Sequence, residues 1–130
     1  MKTGKKILVA DDETHILNVV SLKLKNAGFT VFCARDGQEA LELARLHTPD
    51  LLITDYHMPH LSGLELCDAL RADAALKHIP AMMLSARGYN LEPADTLRSG
   101  IVRMLSKPFS PRELLEVVDE VLAGAKQRAA

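Results

Sequence analysis

The sequence has little of what marks a secreted or membrane-spanning protein. It contains only two cysteines, Cys33 and Cys67, which lie far apart among apolar neighbours and are expected to be reduced core thiols. No apolar run approaches the roughly 20 residues needed to cross a bilayer. The opening MKTGKK leads directly into a strand-like run and not into a signal-peptide core. We therefore expect a cytoplasmic protein that has no membrane partner.

The charges are nearly balanced, which excludes a second set of functions. Lys and Arg together number 16 against 17 Asp and Glu, for a formal net charge of −1. Such a chain has no overall field to attract nucleic acid or an anionic membrane surface, so we expect no direct nucleic-acid partner. Its 130 residues, 48% of them hydrophobic, suit one packed domain that needs neither disulfides nor a structural metal.

Short apolar runs alternate with helix-periodic segments along the chain. This alternation is typical of an α/β fold in which helices cover a parallel sheet. The predicted strands are residues 7–10, 30–34, 51–54, 81–84 and 101–105. A predicted helix follows each strand: the third covers 63–72, the fourth and more polar one lies near 92–98, and the fifth starts at Pro111 after the N-cap Ser110. Residues 1–125 are expected to form one domain and residues 126–130 a short tail.

Polar residues lie near the carboxyl ends of four predicted strands. Asp11 and Asp12 follow the first strand, Asp55 the third, Ser85 the fourth and Lys107 the fifth. Parallel strands direct these ends to one edge of the sheet, where open α/β sheets bind ligands, so the five side chains should meet there. Three ionised carboxylates separated by ~5 Å repel by about 3 kcal/mol per pair at an effective dielectric of ~20. Lys107 and a divalent cation would offset this repulsion, and oxygen ligands suit Mg²⁺ or Mn²⁺.

Asp55 is the candidate nucleophile toward phosphorus, because a metal and an ammonium beside it would screen an incoming phosphate. It stands alone at its strand end, whereas Asp11 and Asp12 are adjacent and suited to holding the metal. Simpler interpretations remain open at this point. The acidic run at 11–13 could cap the first helix, Asp55 could begin a turn, and Ser85 could be a helix cap.

Two histidines close to the candidate nucleophile raise a further possibility. His57 and His60 are three residues apart and could form a metal pair. Met58 and Pro59 between them favour a loop instead, so a zinc role is disfavoured.

Four short motifs together resemble the CheY-like receiver domain of two-component response regulators. They are VADDE at 9–13, ITDYHMPHLSG at 53–63, LSA at 84–86 and SKPF at 106–109. They occur in the family's order and spacing, and the resemblance covers nearly the whole chain. It implies a flavodoxin-like (βα)5 three-layer sandwich whose five-stranded parallel sheet has the order 2-1-3-4-5.

The resemblance also implies a role for individual residues. Asp55 would be the phosphoacceptor. The Mg²⁺ ligands would be Asp12 directly, Asp11 through water, a carboxylate oxygen of Asp55 and the backbone carbonyl of His57. The phosphoryl group would be contacted by Ser85, the backbone of Ala86, and Lys107, and the bond from Lys107 to Pro108 would be cis.

Three positions depart from the family's usual pattern or tune it. In many receivers, an aromatic residue three positions before the lysine moves together with the Ser or Thr hydroxyl. In this chain Met104 stands at that position, so Ser85 and Met104 would form the switch. His57 and Arg87 flank the acceptor and Ser85. Their bulk and charge are expected to shield the phosphoryl group and lengthen the lifetime of the aspartyl phosphate.

The implied partners follow from the same family. A sensor histidine kinase or a histidine phosphotransfer protein would donate the phosphoryl group. A downstream protein effector would bind the face formed by the fourth helix, fifth strand and fifth helix, where a homodimer is also possible. Since no effector domain follows within the 130 residues, output by protein binding is expected, and the sequence could equally be a receiver domain cut from a longer regulator or hybrid kinase.

Two rival functions belong to other classes of protein. The first is a Mg²⁺-dependent aspartyl-phosphate phosphatase or phosphotransferase, although such enzymes usually carry an acid two residues after the nucleophile, where this chain has His57. The second is a flavin- or nucleotide-binding module, although the first strand lacks a glycine-rich phosphate loop. We therefore predict a signalling domain that catalyses only its own phosphorylation and dephosphorylation.

Overall fold

A five-stranded parallel sheet forms the centre of the molecule. The computed structural model describes residues 4–85 and 100–129, with side chains through residue 124. The strands are β1 (Lys6–Ala10), β2 (Thr30–Ala34), β3 (Leu51–Asp55), β4 (Ala81–Ser85) and β5 (Ile101–Ser106). They pair in the order β2-β1-β3-β4-β5, and every pairing is parallel. The predicted strands and the predicted strand order are confirmed, with single-residue extensions at some ends.

Four helices cover the sheet within the described residues. They are α1 (Thr14–Asn26), α2 (Gly37–His47), α3 (Gly63–Ala72) and a C-terminal helix (Pro111–Ala129). The predicted bounds of α3 and the start of the C-terminal helix at Pro111 are confirmed, and Ser110 accepts a hydrogen bond at 3.0 Å from the backbone N–H of Glu113. The backbone stays helical through Ala129, across most of the predicted tail. The predicted fourth helix at 92–98 lies outside the described residues.

The three central strands β1, β3 and β4 are buried on both faces, which explains their continuous apolar runs in the sequence. Successive residues of a strand point to opposite faces, so Ile7 and Val9 pack in one core cluster with side chains of α1 and the C-terminal helix. Leu8 and Ala10 pack in a second cluster with side chains of α2 and α3. The result is the three-layer sandwich that the resemblance implied.

The two cysteines differ in environment. Cys67 on α3 is buried as predicted, and burial raises the pKa of its thiol to about 12, so it stays protonated at neutral pH. The prediction of a core position for Cys33 is wrong: Cys33 is a free, exposed cysteine. The reason is that β2 lies at the edge of the sheet and, among the described strands, pairs only with β1, so its middle residues are less covered than those of β3 or β4.

None of the helices in the described parts of the chain combines the length and apolar content needed to cross a membrane.

Candidate functional site

Three aspartates meet at the carboxyl edge of the sheet. Asp11 directly follows β1, and its backbone N–H donates to the carbonyl of Ala34 at 3.1 Å, which continues the ladder between β1 and β2. Asp55 is the last residue of β3. Asp11, Asp12 and Asp55 each offer a carboxylate oxygen, and these oxygens lie within 4.8 Å of one another. Asp11 and Asp55 are buried, whereas Asp12 is exposed, so solvent reaches the cluster at Asp12.

Lys107 brings a positive charge to this cluster from the end of β5. Its backbone N–H donates to the carbonyl of Ser85 at 2.8 Å, which fixes the start of the side chain beside β4. The ammonium Nζ lies 2.9 Å from Asp55 Oδ1, 3.2 Å from Asp11 Oδ2 and 2.8 Å from Glu13 Oε1. The side chain of Lys107 is only 18% exposed. The predicted convergence of residues from β1, β3 and β5 is therefore observed.

Burial and charge act in opposite directions on the ionisable groups of the site. Burial raises the pKa of Asp11, and repulsion from Asp55 adds to this effect, against the hydrogen bond from the backbone N–H of Glu13 and the attraction of Lys107. Burial works to lower the pKa of Lys107, but its hydrogen bonds to Glu13 and Asp55, together with the attraction of the Asp11 and Asp55 charges, outweigh burial and raise that pKa. The pKa of Glu13 is lowered by its hydrogen bond with Lys107. The ammonium thus stays charged among the carboxylates.

Glu13 is the functional candidate that the sequence interpretation missed. Glu13 is the N-cap residue of α1, but its side chain makes no capping hydrogen bond. It reaches Lys107 instead, while Asp11 Oδ1 accepts a hydrogen bond at 2.9 Å from the backbone N–H of Glu13. Helix capping therefore does not account for the Glu13 carboxylate. The signal was its place two residues after Asp11 at the same strand end.

The loop after Asp55 is held close to the sheet by the start of α3. The backbone N–H of Gly63 donates to the carbonyl of Tyr56 at 2.7 Å. A Cβ added at Gly63 would lie 2.2 Å from the carbonyl oxygen of Asp55, so only glycine fits there. Ser62 and Glu65 form a capping box that ends the loop at a defined residue. Backbone contacts thus set the position of Asp55.

Among the described residues, the two histidines of this loop belong to no group of three potential metal ligands. His57 is exposed, and its ring makes an edge-to-face contact with the ring of Tyr56, with ring centroids 4.8 Å apart. His60 is exposed with a φ of 71°. In the parts of the chain that the structure describes, the only group of three or more potential ligands is the aspartate cluster. The disfavoured zinc hypothesis receives no support from this geometry.

The remaining predicted site residues lie along β4 and β5. Ser85 is 2% exposed and pairs in register with Ser106. Met104 is half-buried, pairs with Met83, and packs against the core cluster on the side of α2 and α3. The peptide bond from Lys107 to Pro108 is cis, as the resemblance implied. Ala86 and Arg87 lie outside the described residues.

Known proteins share this sequence pattern. Residues 7–119 match the family model described as response regulator receiver domain. The alkaline phosphatase synthesis transcriptional regulatory protein PhoP of Bacillus subtilis is 38% identical over 92% of this chain and 49% of its own length. The phosphate regulon transcriptional regulatory protein PhoB of Pseudomonas aeruginosa is 36% identical over 92% of this chain and 52% of its own. The chain therefore spans about half the length of these curated relatives.

Solved structures share the fold as well as the sequence. The chemotaxis response regulator CheY4 of Vibrio cholerae superposes with a TM-score of 0.85 and 34% identity, covering 92% of this chain and 99% of that one. Sequence, fold and the acidic edge of the sheet agree, and this chain belongs to the receiver domain family of two-component response regulators.

Proposed function

We propose that Asp55 accepts a phosphoryl group from a phosphohistidine on a sensor histidine kinase or a histidine phosphotransfer protein. The observation that carries this proposal is the contact of Asp55 Oδ1 with Lys107 Nζ at 2.9 Å inside the aspartate cluster. Both oxygens of Asp11 already accept hydrogen bonds, one from the backbone of Glu13 and one from Lys107. Asp12 is exposed, so Asp55 is the buried carboxylate best suited to attack phosphorus.

The transfer exchanges one bond to phosphorus for another. A carboxylate oxygen of Asp55 forms the new O–P bond while the bond from phosphorus to the donor's imidazole nitrogen breaks. That nitrogen keeps the electron pair, and the donor leaves as neutral histidine after taking up a proton. Lys107 compensates the charge on the phosphoryl oxygens during transfer. The phosphoryl group is later lost by hydrolysis: water attacks phosphorus, the O–P bond to Asp55 breaks, Asp55 leaves as a carboxylate, and inorganic phosphate is released.

The donor set of the site fits Mg²⁺ or Mn²⁺. Three carboxylates with oxygens within 4.8 Å of one another, one of them exposed, offer the hard oxygen ligands that these ions prefer. Asp12 would bind the ion directly and Asp11 through water, together with a carboxylate oxygen of Asp55 and the backbone carbonyl of His57. When bound, the ion would neutralise charge on the phosphoryl oxygens.

The residues around Asp55 would recognise and report the phosphoryl group. Ser85, the backbone of Ala86 and Lys107 would hold its oxygens. Ser85 and Met104 would act as the switch, because Met104 already packs against the core beside Met83 and a flexible thioether can fill a gap that changes shape.

Access of water to the phosphoryl group sets how long the signal lasts. His57 and Arg87 would tune this lifetime by shielding phosphorus. The exposed position of His57 in the loop after Asp55 supports its part of this proposal.

The phosphorylation signal would be passed to a partner protein through the surface of β5, the C-terminal helix and the predicted fourth helix. Residues 1–125 would act as one receiver domain whose phosphorylated form binds a protein effector or a second copy of itself on this face. Because their charge is nearly balanced, we propose that these 130 residues do not bind nucleic acid directly. Two relatives are named transcriptional regulatory proteins, and this chain spans about half of their length.

Receiver domains are signalling domains rather than classical enzymes. We propose that this one catalyses only its own phosphorylation and dephosphorylation. The rival, a Mg²⁺-dependent phosphatase or phosphotransferase, would release many phosphates per protein molecule from a small phosphoester.

The test is phosphorylation by acetyl phosphate and by purified phosphorylated kinases. We expect at most one phosphoryl group per chain, no label in EDTA, and no label in Asp55→Asn. Asp36→Asn is the matched control, because asparagine replaces aspartate well at the N-cap of α2. Full labelling of Asp55→Asn would overturn the assignment of the acceptor, and steady turnover of a phosphoester would favour the enzyme.

A further inference from the structure

Glu13 shares the ammonium of Lys107 with the two buried aspartates. Lys107 Nζ lies 2.8 Å from Glu13 Oε1, 2.9 Å from Asp55 Oδ1 and 3.2 Å from Asp11 Oδ2. A lysine ammonium has three N–H donors. Each donor can therefore be engaged by one carboxylate. A phosphoryl group on Asp55 inherits the donor that Asp55 used, and it can gain a second one only if Glu13 or Asp11 yields.

Glu13 is the acceptor that can leave at the lowest cost. Its side chain is 47% exposed, whereas those of Asp11 and Asp55 are 0% and 10% exposed. Water can replace Lys107 on an exposed carboxylate but not on a buried one. The Glu13 side chain makes no capping bond with α1, so its release would leave the helix end unchanged.

The charges of the site favour the same displacement. Glu13 and the three aspartates carry four negative charges against the single positive charge of Lys107, and a bound divalent ion would add two positive charges, so one negative charge would remain in surplus. Phosphorylation replaces the single charge of Asp55 with a phosphoryl group of about −2, which increases the surplus. Glu13 then repels the phosphoryl group while competing with it for Lys107.

We propose that Glu13 is a positioning residue that holds Lys107 in the resting state and releases it when Asp55 is phosphorylated. This inference rests on the proposed function. The contact from Glu13 to Lys107 stabilises only the resting state, so it slows phosphorylation. In the phosphorylated protein and in the transition state for its hydrolysis, Lys107 is already on the phosphoryl group, so loss of Glu13 affects both states alike.

The test compares the two rates in Glu13→Gln, which keeps the size of the side chain and removes its charge. At saturating Mg²⁺ and with acetyl phosphate, phosphorylation should be about two- to five-fold faster, the effect expected of one partly exposed ion pair. The decay rate of the phosphoprotein should match wild type. Glu42→Gln, an exposed change of equal charge on α2, should alter neither rate.

A second measurement asks whether Glu13 acts through Lys107. In a Lys107→Ala background, where phosphorylation is expected to be slower, Glu13→Gln should no longer accelerate the reaction. An equilibrium version uses Mg²⁺ with fluoroberyllate, a phosphoryl mimic, which should bind Glu13→Gln about two- to five-fold more tightly than wild type.

The outcomes separate this inference from the proposed function. Faster phosphorylation with unchanged decay, lost in the Lys107→Ala background, supports the role of Glu13. An equal or slower rate in Glu13→Gln, or acceleration that persists without Lys107, overturns it while Asp55 remains the acceptor. If wild type takes no label on Asp55, the proposed function and this inference fall together.

Discussion

The two ends of the sheet are stabilised in different ways. At the carboxyl end, backbone hydrogen bonds such as Lys107 N–H to the carbonyl of Ser85 at 2.8 Å fix the geometry, while the side chains form a cluster in which carboxylates repel one another around the Lys107 ammonium. At the amino end, side chains bind the backbone in addition to backbone hydrogen bonds: Asp50 Oδ2 accepts from the N–H of Lys6 at 2.8 Å, and Lys6 Nζ donates to the carbonyl of His47 at 3.2 Å.

This difference separates function from stability. Side chains at the amino end are committed to structural hydrogen bonds. At the carboxyl end the backbone fixes the geometry, so the side chains can meet a cation and a phosphoryl group, at some cost in stability. Substitutions at the two ends should therefore have different and sometimes opposite effects.

The largest effect is expected where the backbone of the carboxyl end is packed most closely. In Gly63→Ala, the new Cβ would lie 2.2 Å from the carbonyl oxygen of Asp55. The chain must shift at α3 or β3, and we expect a loss of about 3 kcal/mol in the free energy of unfolding, measured in urea. The rate of phosphorylation should also fall, because relieving the overlap displaces Asp55.

Gly4→Ala is the control for this change. A Cβ at Gly4 meets no atom within 4 Å, but its φ is +90°, so only backbone strain of about 1 kcal/mol is expected. If Gly63→Ala lost no more stability than Gly4→Ala, close packing at Gly63 would not be what fixes the backbone at the carboxyl end of the sheet.

A somewhat smaller effect is expected at the amino end, from Arg71→Met. The guanidinium of Arg71 donates to the carbonyls of Lys77 and Ile79 in the segment that leads into β4. Methionine keeps the apolar stem but leaves these acceptors without their donor. We expect a loss of about 2 kcal/mol with phosphorylation of the folded protein unchanged.

The matched control for Arg71 is Arg112→Met on the C-terminal helix. Arg112 is 88% exposed and its pair with Glu116 spans 3.6 Å, so a change within about 0.5 kcal/mol is expected. Impaired phosphorylation in folded Arg71→Met would contradict the claim that the amino end of the sheet affects stability but not function.

The smallest effect has the opposite sign. In EDTA, Asp55→Asn should raise the free energy of unfolding by about 1 kcal/mol, because it removes one of three clustered charges and keeps an oxygen for Lys107. The gain should shrink as Mg²⁺ is added, since ion binding stabilises wild type more than the variant. A less stable variant in EDTA would show that the carboxylates do not repel strongly.

Much of the fold and the site could be predicted from local patterns. The strands and α3 follow from apolar runs and helical periodicity, and the placement of Asp11, Asp55 and Lys107 follows from the rule that parallel strands end at one edge. Cys33 was predicted wrongly, because an apolar neighbourhood in sequence does not reveal that β2 is an edge strand. The fold resemblance, and not periodicity, supplied the strand order.

What the sequence alone determined is which chemical groups reach the carboxyl edge, because the alternation of strands and helices fixes where each strand ends. What only the tertiary structure decided is how these groups share their charges. Glu13 could have capped α1, yet its carboxylate lies 2.8 Å from Lys107. Whether Glu13 caps α1 or pairs with Lys107 depends on the distance between side chains 94 positions apart in the sequence, and this distance cannot be predicted from the local sequence.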